Sequence, residues 1–150
     1  MDDLPEGSKI TMPDDATNLS RALYLMAQAD LVTFKDDKKV ALTLDDLESN
    51  PKNLDFSDQV PLTSLAQRYE ETGIAVMYPT YAKSLELEGD DQRLYVEKQD
   101  QTTENYAISL VSRSDNQDSE KMTILKKHLQ TDKVRDFLMS EYAWASSPAL

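Results

Sequence analysis

Hydrophobic positions recur along the chain at two spacings, one typical of helices and one typical of strands. After Thr17 and Asn18, either of which is a suitable helix N-cap, apolar residues return every three or four positions, at Leu19, Ala22, Leu23, Met26 and Ala29. A second helix is predicted over 61–73, because a proline lies near its start and Gly73 is a suitable C-cap. Further helices are predicted over 43–54, 80–89, 119–130 and 131–144.

Strands are predicted between these helices. The run at 74–78 is continuously apolar, which is typical of a buried parallel strand, whereas 54–58 alternates and suits an exposed one. The remaining predicted strands are 9–12, 31–34, 93–98 and 106–113. Because strands alternate with helices, we expect an α/β fold whose sheet is mostly parallel and flanked by helices.

The negative net charge of the chain argues against some classes of binding partner. The chain has 150 residues, 39% of them hydrophobic, and it carries a formal net charge of −12. A chain of this size is typical of one domain, and its negative charge repels nucleic acid and anionic membrane surfaces at long range. We therefore expect no nucleic-acid partner.

The inventory of reactive side chains favours a binding protein over an enzyme. The chain has no cysteine, three glycines and one histidine, His128. This composition excludes thiol catalysis and makes a Ser-His-Asp triad or a glycine-rich phosphate loop improbable. The paired aspartates lack the spacing of a calcium loop, so we expect no metal site and no cofactor.

Two loops are candidates for a ligand site, because parallel sheets bind ligands where strands end and helices begin. They are the loop at 13–18 and the loop at 78–81. Arg21 lies one turn into the helix that follows the first loop, where the helix dipole disfavours a positive charge. Arg21 therefore either meets an anion at this edge or is an ordinary solvated surface residue.

Four segments resemble one protein family and occur in the order that the family shows. They are LPEGSKITMPDDATNLSRAL (4–23), NPKNL (50–54), IAVMYPTYA (74–82) and PAL (148–150). On these segments the chain is identified as a member of the NlpA-type lipoproteins, the methionine-binding receptors of bacterial ABC importers. The resemblance implies the α/β fold of a periplasmic-binding-protein type II lobe.

The resemblance also implies a division of the chain and a location. Residues 1–104 correspond to the second lobe of a two-lobe receptor. Residues 105–150 correspond to a returning segment, one strand and two helices, that normally completes the first lobe. A signal peptide, a lipid-attachment cysteine and most of the first lobe are expected upstream. The full-length protein is then extracytoplasmic and lipid-anchored to the cell membrane.

For the ligand site, the resemblance places Arg21 against the carboxylate of a bound amino acid. A guanidinium fork fits a carboxylate with two hydrogen bonds, which agrees with this role. This hypothesis expects the Arg21 side chain to face the strand ends, and an acid of its own chain holding it would contradict a mechanism in which a free Arg21 awaits the ligand. The other candidate ligand-binding residues are Thr17, Asn18, Tyr78, Tyr81 and Ile108.

Two candidate positions depart from the family. Tyr78 and Ile108 stand where the family usually has asparagines that hold the backbone of the amino acid. Losing these amides costs about 1–3 kcal/mol for each ligand group left unpaired. The departures argue against free L-methionine and leave a related amino acid, a peptide or another small carboxylate open.

The expected function is that of an ABC-importer receptor. It binds a methionine-like amino acid or related small carboxylate between two lobes and passes it to a membrane permease. The alternative is a surface lipoprotein with a degenerate ligand site that acts in interaction or adhesion. An unpaired strand at 106–112 also predicts a homodimer or swapped contacts, because free strand edges invite association.

Overall fold

The computed structural model describes residues 4–36, 38–87, 93–98, 100–143 and 148. By its internal contacts, the chain divides into two compact units, Met1–Lys98 and Gln99–Leu150. The first unit contains β1 (Met12–Pro13), α1 (Ala16–Gln28), β2 (Thr33–Phe34), β3 (Leu47–Ser49), β4 (Gln59–Val60), α2 (Leu65–Thr72) and α3 (Pro79–Lys83). Short 3-10 turns at Leu44–Asp46 and Leu62–Ser64 precede β3 and α2.

Three parallel segments form the centre of the first unit. The segment 8–14, which contains β1, pairs with 54–60 through the parallel β1–β4 ladder and a further parallel bridge. On its other side, a parallel bridge joins Thr11 to Ala75, within the segment 74–76. The Thr11 N–H donates to the carbonyl of residue 74 at 3.0 Å. Parallel strands followed by helices confirm the predicted α/β class.

The hydrophobic core lies between α1 and this parallel arrangement. α1 contributes its apolar stripe, and Leu23 in that stripe is fully buried, as is Met12 in β1. The antiparallel pair of β2 and β3 adds Phe34 at the margin of the core. The buried apolar residues are Leu4, Ile10, Met12, Ala22, Leu23, Met26, Ala29, Leu31, Val32, Phe34, Leu42, Leu54, Phe56 and Leu65.

A polar cluster joins the central segment to α2. The fully buried Thr11 hydroxyl donates to Asp58 Oδ2 at 2.6 Å. Arg68, from α2, donates through Nε to both oxygens of the same carboxylate, at 2.9 and 3.0 Å. These hydrogen bonds hold the pKa of Asp58 below its ordinary value of 3.8, with Arg68 as the larger cause and Thr11 as the second.

Two helix starts differ from the sequence predictions. The N-cap of α1 is Asp15, because its backbone is extended and its carboxylate accepts the Asn18 N–H; the assignment to Thr17 or Asn18 was wrong. Thr43 does begin a helical turn, and its N–H and hydroxyl donate to Asp46. That turn is only three residues long before the chain enters β3, so the predicted helix over 43–54 was wrong beyond it.

Several predicted strands are shorter than expected or do not form. Leu54 and Phe56 are buried, so the expectation of an exposed strand at 54–58 was wrong. The run at 74–78 makes one bridge and is half-buried, and 93–98 forms no ladder among the described residues. The helix predicted over 80–89 is shorter, at Pro79–Lys83, and residues 88 and 89 lie outside the described residues.

The second unit contains α4 (Gln101–Glu104), α5 (Glu120–Leu129) and α6 (Asp132–Tyr142). The last two confirm the helices predicted over 119–130 and 131–144, apart from residue 144, which lies outside the described part. Ser119 and Thr131 cap them by accepting backbone N–H groups. The strand predicted over 106–113 is absent, because this segment finds no ladder partner among the described residues.

Apolar side chains of the second unit remain accessible. None of its residues described between 103 and 143 is fully buried. The exposed apolar residues include Ile108, Leu110, Val111, Ile124, Leu125, Leu129, Phe137 and Met139. Among the helices of the described residues, none has both the length and the hydropathy needed to cross a bilayer.

We predict that Asp58→Asn lowers the free energy of unfolding at neutral pH by about 1 kcal/mol, because it removes a charge-assisted hydrogen-bond acceptor. Folding favours the ionised form of Asp58, so its contribution is complete above pH 3.8 and is lost as the pH falls through the lowered folded pKa. Urea unfolding of both proteins across this range measures the difference.

Asp45→Asn is the matched control, because Asp45 is exposed in a 3-10 turn. Its unfolding midpoint should follow that of the unmodified chain. A destabilisation by Asp58→Asn that stays constant down to the acid limit would contradict the linkage.

Candidate functional site

The carboxyl ends of the three central segments meet at one edge of the first unit. The segment 8–14 leads into α1, and 54–60 leads through a 3-10 turn into α2. The segment 74–76 leads into α3, whose N-cap is Tyr78. Parallel strands bring their carboxyl ends, and the helix starts that follow them, to the same edge. This edge is where a ligand site is expected in such a fold.

Arg21 and Tyr78 lie together at this edge. Arg21 projects from α1 with 24% of its side chain exposed. Its Nη1 donates to Tyr78 Oη at 2.8 Å, and its Cζ lies 5.0 Å from the centroid of the Tyr78 ring. Two candidate residues that lie 57 positions apart in the sequence are therefore in contact. The hydrogen bond and the ring contact both hold the guanidinium in place.

Glu97 occupies the fork of the Arg21 guanidinium. Arg21 Nε donates to the two Glu97 oxygens at 2.9 and 3.2 Å, and Nη2 donates to Oε2 at 2.5 Å. The Glu97 side chain is 20% exposed, so the pair is largely withdrawn from solvent. The sequence hypothesis expected Arg21 without an acid of its own chain, and that expectation was wrong.

The end of α1 positions Glu97. Tyr95 Oη donates to the carbonyl of Gln28 at 2.6 Å, and the backbone N–H of Lys98 donates to Gln28 Oε1 at 2.9 Å. Tyr95 also packs against the core. These contacts lie on both sides of Glu97 in sequence, so they hold the segment 93–98 along α1. The Glu97 carboxylate thereby faces the guanidinium one turn into the helix.

This pairing explains how an arginine is accommodated near a helix N-terminus. The hydrogen bonds to Glu97 are the main reason that the pKa of Arg21 is raised above its ordinary value; burial acts in the opposite direction, and the Tyr78 contact adds a smaller increase. Proteins often bind the carboxylate of a ligand through two hydrogen bonds from one arginine, and Nε and Nη2 of Arg21 bind Glu97 in this geometry. The site is therefore chemically suited to a carboxylate and already contains one.

The contacts of Asn18 belong to the start of α1, and Thr17 is exposed, so these two candidates differ from Arg21. The Asn18 side-chain amide donates to both carboxylate oxygens of Asp15, at 3.0 and 2.9 Å, and so completes the N-cap of α1. Its backbone bond to the same carboxylate is the main reason that the pKa of Asp15 is lowered. Thr17 is exposed on the first turn of the helix.

The last two candidate residues lie apart from one another in the chain. Tyr81 is half-buried in α3, and its backbone N–H donates to the Tyr78 carbonyl at 3.0 Å. Ile108 lies in the second unit and is fully exposed. Among the described residues, no group of three His, Asp or Glu side chains is arranged to hold a metal ion.

The sequence as a whole matches one family. Residues 1–150 fit the family described as NlpA lipoprotein. The chain belongs to the NlpA lipoprotein family. The probable D-methionine-binding lipoprotein MetQ of Haemophilus influenzae is 33% identical over 134 residues, which make up 89% of this chain and 48% of that protein. Outer membrane lipoprotein 1 of Mannheimia haemolytica is 33% identical over 132 residues, 88% of this chain and 46% of that protein.

This NlpA-family chain thus spans about half the length of the curated relatives it matches. A crystallised lipoprotein of the YaeC family from Enterococcus faecalis V583 superposes with a TM-score of 0.85 at 30% identity, over 99% of this chain and 61% of that one. The substrate-binding protein of a methionine transporter from Streptococcus pneumoniae gives a TM-score of 0.81 at 26% identity, over 99% of this chain and 57% of that one. These neighbours confirm the predicted periplasmic-binding-protein type II lobe.

Sequence reasoning missed Glu97 in this NlpA-family chain. Residues 93–98 alternate in character, and the structure turns Tyr95 and Glu97 inward while Leu94 and Val96 are 61% and 58% exposed. The sequence predicts a strand here, so odd-numbered and even-numbered residues are expected on opposite faces. Hydrophobicity alone would turn Leu94 and Val96 inward, so no sequence signal selected the correct face.

A double-mutant cycle with Arg21→Ala and Glu97→Ala should give a coupling free energy of about 1–2 kcal/mol, because each single change leaves a largely buried charge without its partner. Urea unfolding of the four proteins provides the measurement. The Lys9–Asp55 pair serves as the control, since its atoms are 3.8 Å apart and at least 40% of each side chain is exposed. Its coupling should lie within error of zero, and an equally small value for Arg21 and Glu97 would contradict the pairing.

Proposed function

We propose that this chain is part of an extracytoplasmic substrate-binding lipoprotein of an ABC importer, which binds a methionine-like amino acid or related small carboxylate between two lobes. Membership of the NlpA lipoprotein family supports this function. The names of relatives support it further, since several are D-methionine-binding lipoproteins and one solved neighbour serves a methionine transporter.

The observation that carries the proposal is the Arg21 fork at the edge where the parallel segments end. Arg21 already holds a carboxylate there through Nε and Nη2, in the arrangement a ligand carboxylate would use. In the proposed mechanism, the ligand carboxylate takes the place of Glu97 in the fork. Tyr78 remains beside the guanidinium and borders the ligand. Binding is therefore an exchange of one anion for another.

The proposed organisation assigns residues 1–104 to the second lobe and 105–150 to a returning segment that completes the first. Support comes from the absence of fully buried residues among those described between 103 and 143, and from the complete exposure of Ile108. Apolar surface of this kind is normally covered in a folded receptor. In this arrangement Thr17 and Tyr81 belong to the second lobe, where they border the proposed ligand site, and Ile108 belongs to the returning segment.

The remaining parts of the proposal follow from this role. A receptor of this kind catalyses no reaction, is lipid-anchored outside the cell and delivers its ligand to a membrane permease when its lobes close. A homodimer is not part of the proposal. Its premise was an unpaired strand at 106–112, and the segment forms no strand in the part of the chain that the structure describes.

One observation favours a second function, that of a surface lipoprotein whose ligand site has degenerated. The Arg21 fork is filled by Glu97, and Tyr78 replaces a side-chain amide expected from the family. If the internal pair is permanent, the site cannot accept a carboxylate and the protein acts through its surface. The two functions differ in whether any small zwitterion binds.

We expect a methionine-like amino acid or dipeptide to raise the melting temperature of the intact receptor by several degrees at saturation, because a ligand at about 100 times its Kd adds ~2.7 kcal/mol to the free energy of unfolding. Arg21→Ala should abolish most of this rise. A thermal-shift screen of amino acids, dipeptides and small carboxylates measures both effects.

Arg113→Ala is the control in this screen, because Arg113 is highly exposed and pairs only locally with Asp115 among the described contacts. Its ligand-induced rise should equal that of the unmodified receptor. A screen in which no zwitterion or carboxylate raises the melting temperature would favour the surface-lipoprotein function instead.

A further inference from the structure

Charge balance at the Arg21 site points to a role for Glu97 beyond holding the arginine. Glu97 carries the charge opposite to that of Arg21, and the two side chains are only 20% and 24% exposed. Tyr78 adds a hydroxyl and a ring but no charge. Arg93 shares the inward face of the segment and is engaged in an interaction of its own. Glu97, which contacts the guanidinium of Arg21 directly, is the acid that a ligand carboxylate would displace.

Glu97 cannot move far when a ligand carboxylate replaces it in the fork. Tyr95, two residues before it, is hydrogen-bonded to the Gln28 carbonyl at 2.6 Å. Lys98, directly after it, is hydrogen-bonded to the Gln28 side chain at 2.9 Å. These hydrogen bonds restrain the chain on both sides of Glu97, so a displaced Glu97 carboxylate is expected to remain near the ligand.

The identity of the incoming ligand then decides the electrostatic cost. A simple carboxylate leaves two anions beside one guanidinium, in a place largely withdrawn from water, where like charges repel strongly. An α-amino acid brings an ammonium one carbon away from its carboxylate. That ammonium offers the displaced Glu97 a partner of opposite charge and offsets the repulsion between the two carboxylates.

We propose that Glu97 is a specificity-determining residue, which makes the Arg21 site select zwitterionic amino acids over carboxylates that lack an ammonium group. This inference rests on the proposed function, because it assumes that Arg21 meets the ligand carboxylate. It adds a residue outside the candidate set drawn from the sequence. It also assigns opposite roles to one side chain, since Glu97 competes with the ligand carboxylate and recognises the ligand ammonium.

Two probes that differ only in the ammonium group test the inference. They are methionine, in whichever of its L and D forms binds more tightly, and 4-(methylthio)butanoate, which is methionine without its amino group. Isothermal titration of the intact receptor with each probe gives the ratio of the two Kd values. In Glu97→Gln this ratio should shrink by about tenfold, because the change removes the repulsion of the simple carboxylate and the attraction of the ammonium.

Two further variants separate charge from structure. Glu97→Asp retains the negative charge and should keep most of the preference for methionine even if both affinities fall. Glu48→Gln removes one negative charge from an exposed position in β3 and should leave the ratio unchanged. Melting temperatures of all variants, measured without ligand, show whether each is folded before titration.

The outcomes distinguish this inference from the function on which it rests. Methionine binding with the same probe ratio in Glu97→Gln and the unmodified receptor overturns the role of Glu97 and leaves the proposed function standing. Failure of every folded variant to bind any of the probes overturns the proposed function for methionine-like ligands, and this inference with it. A ratio that shrinks in Glu97→Gln but not in Glu48→Gln supports both.

Discussion

Parallel pairing of the segment 8–14 with a neighbour on each side is the constraint on which the candidate site depends. It lets three stretches of chain end at one edge, where α1 and α3 begin. Arg21 and Tyr78 come from these two helix starts and meet within hydrogen-bond distance. The hydrogen bond between the buried Thr11 hydroxyl and Asp58 helps to keep the central segment in place. Strand pairing therefore brings α1 and α3 together, and contacts with Tyr78 and Glu97 hold the guanidinium between them.

The Arg21–Glu97 pair limits how much binding free energy the guanidinium contributes. In the proposed mechanism, a carboxylate from solution gains hydrogen bonds that Glu97 must first give up, so the exchange is close to balanced in hydrogen bonds. Net affinity would then come from groups that differ between the ligand and Glu97. In the proposed receptor these are an ammonium group, an apolar side chain and the contacts made when a second lobe closes over both.

Regular helices were the most predictable part of the fold. α5 and α6 begin after Ser119 and Thr131, where capping residues and apolar spacing agree, and α2 ends at Gly73, whose φ is 80°. The start of α1 was misjudged because three neighbouring residues are all good caps. The backbone conformation and the hydrogen bond from the Asn18 N–H to the Asp15 carboxylate distinguish Asp15 from Thr17 and Asn18.

Strands were less predictable, because a strand exists only where another segment pairs with it. The apolar alternation at 106–113 suits a strand, yet no ladder partner lies among the described residues, and Ile108 is fully exposed. At 54–58 the same kind of pattern belongs to a segment that pairs with residues near Lys9 and buries its apolar face. The local sequence sets the propensity of a segment to form a strand, and pairing with another segment determines whether the strand forms.

The candidate site was also only partly predictable from the sequence. Arg21 was identified because a positive charge is disfavoured near a helix N-terminus and because family motifs surround it, whereas Glu97 lies 76 residues further along the chain and outside those motifs. Its position depends on Gln28, which holds the flanking residues through a carbonyl and a side-chain amide. Because that placement is a tertiary effect, a motif can identify the arginine without its partner. The partner nevertheless changes the chemistry of the site, since a ligand carboxylate can reach the guanidinium fork only by displacing the carboxylate of Glu97.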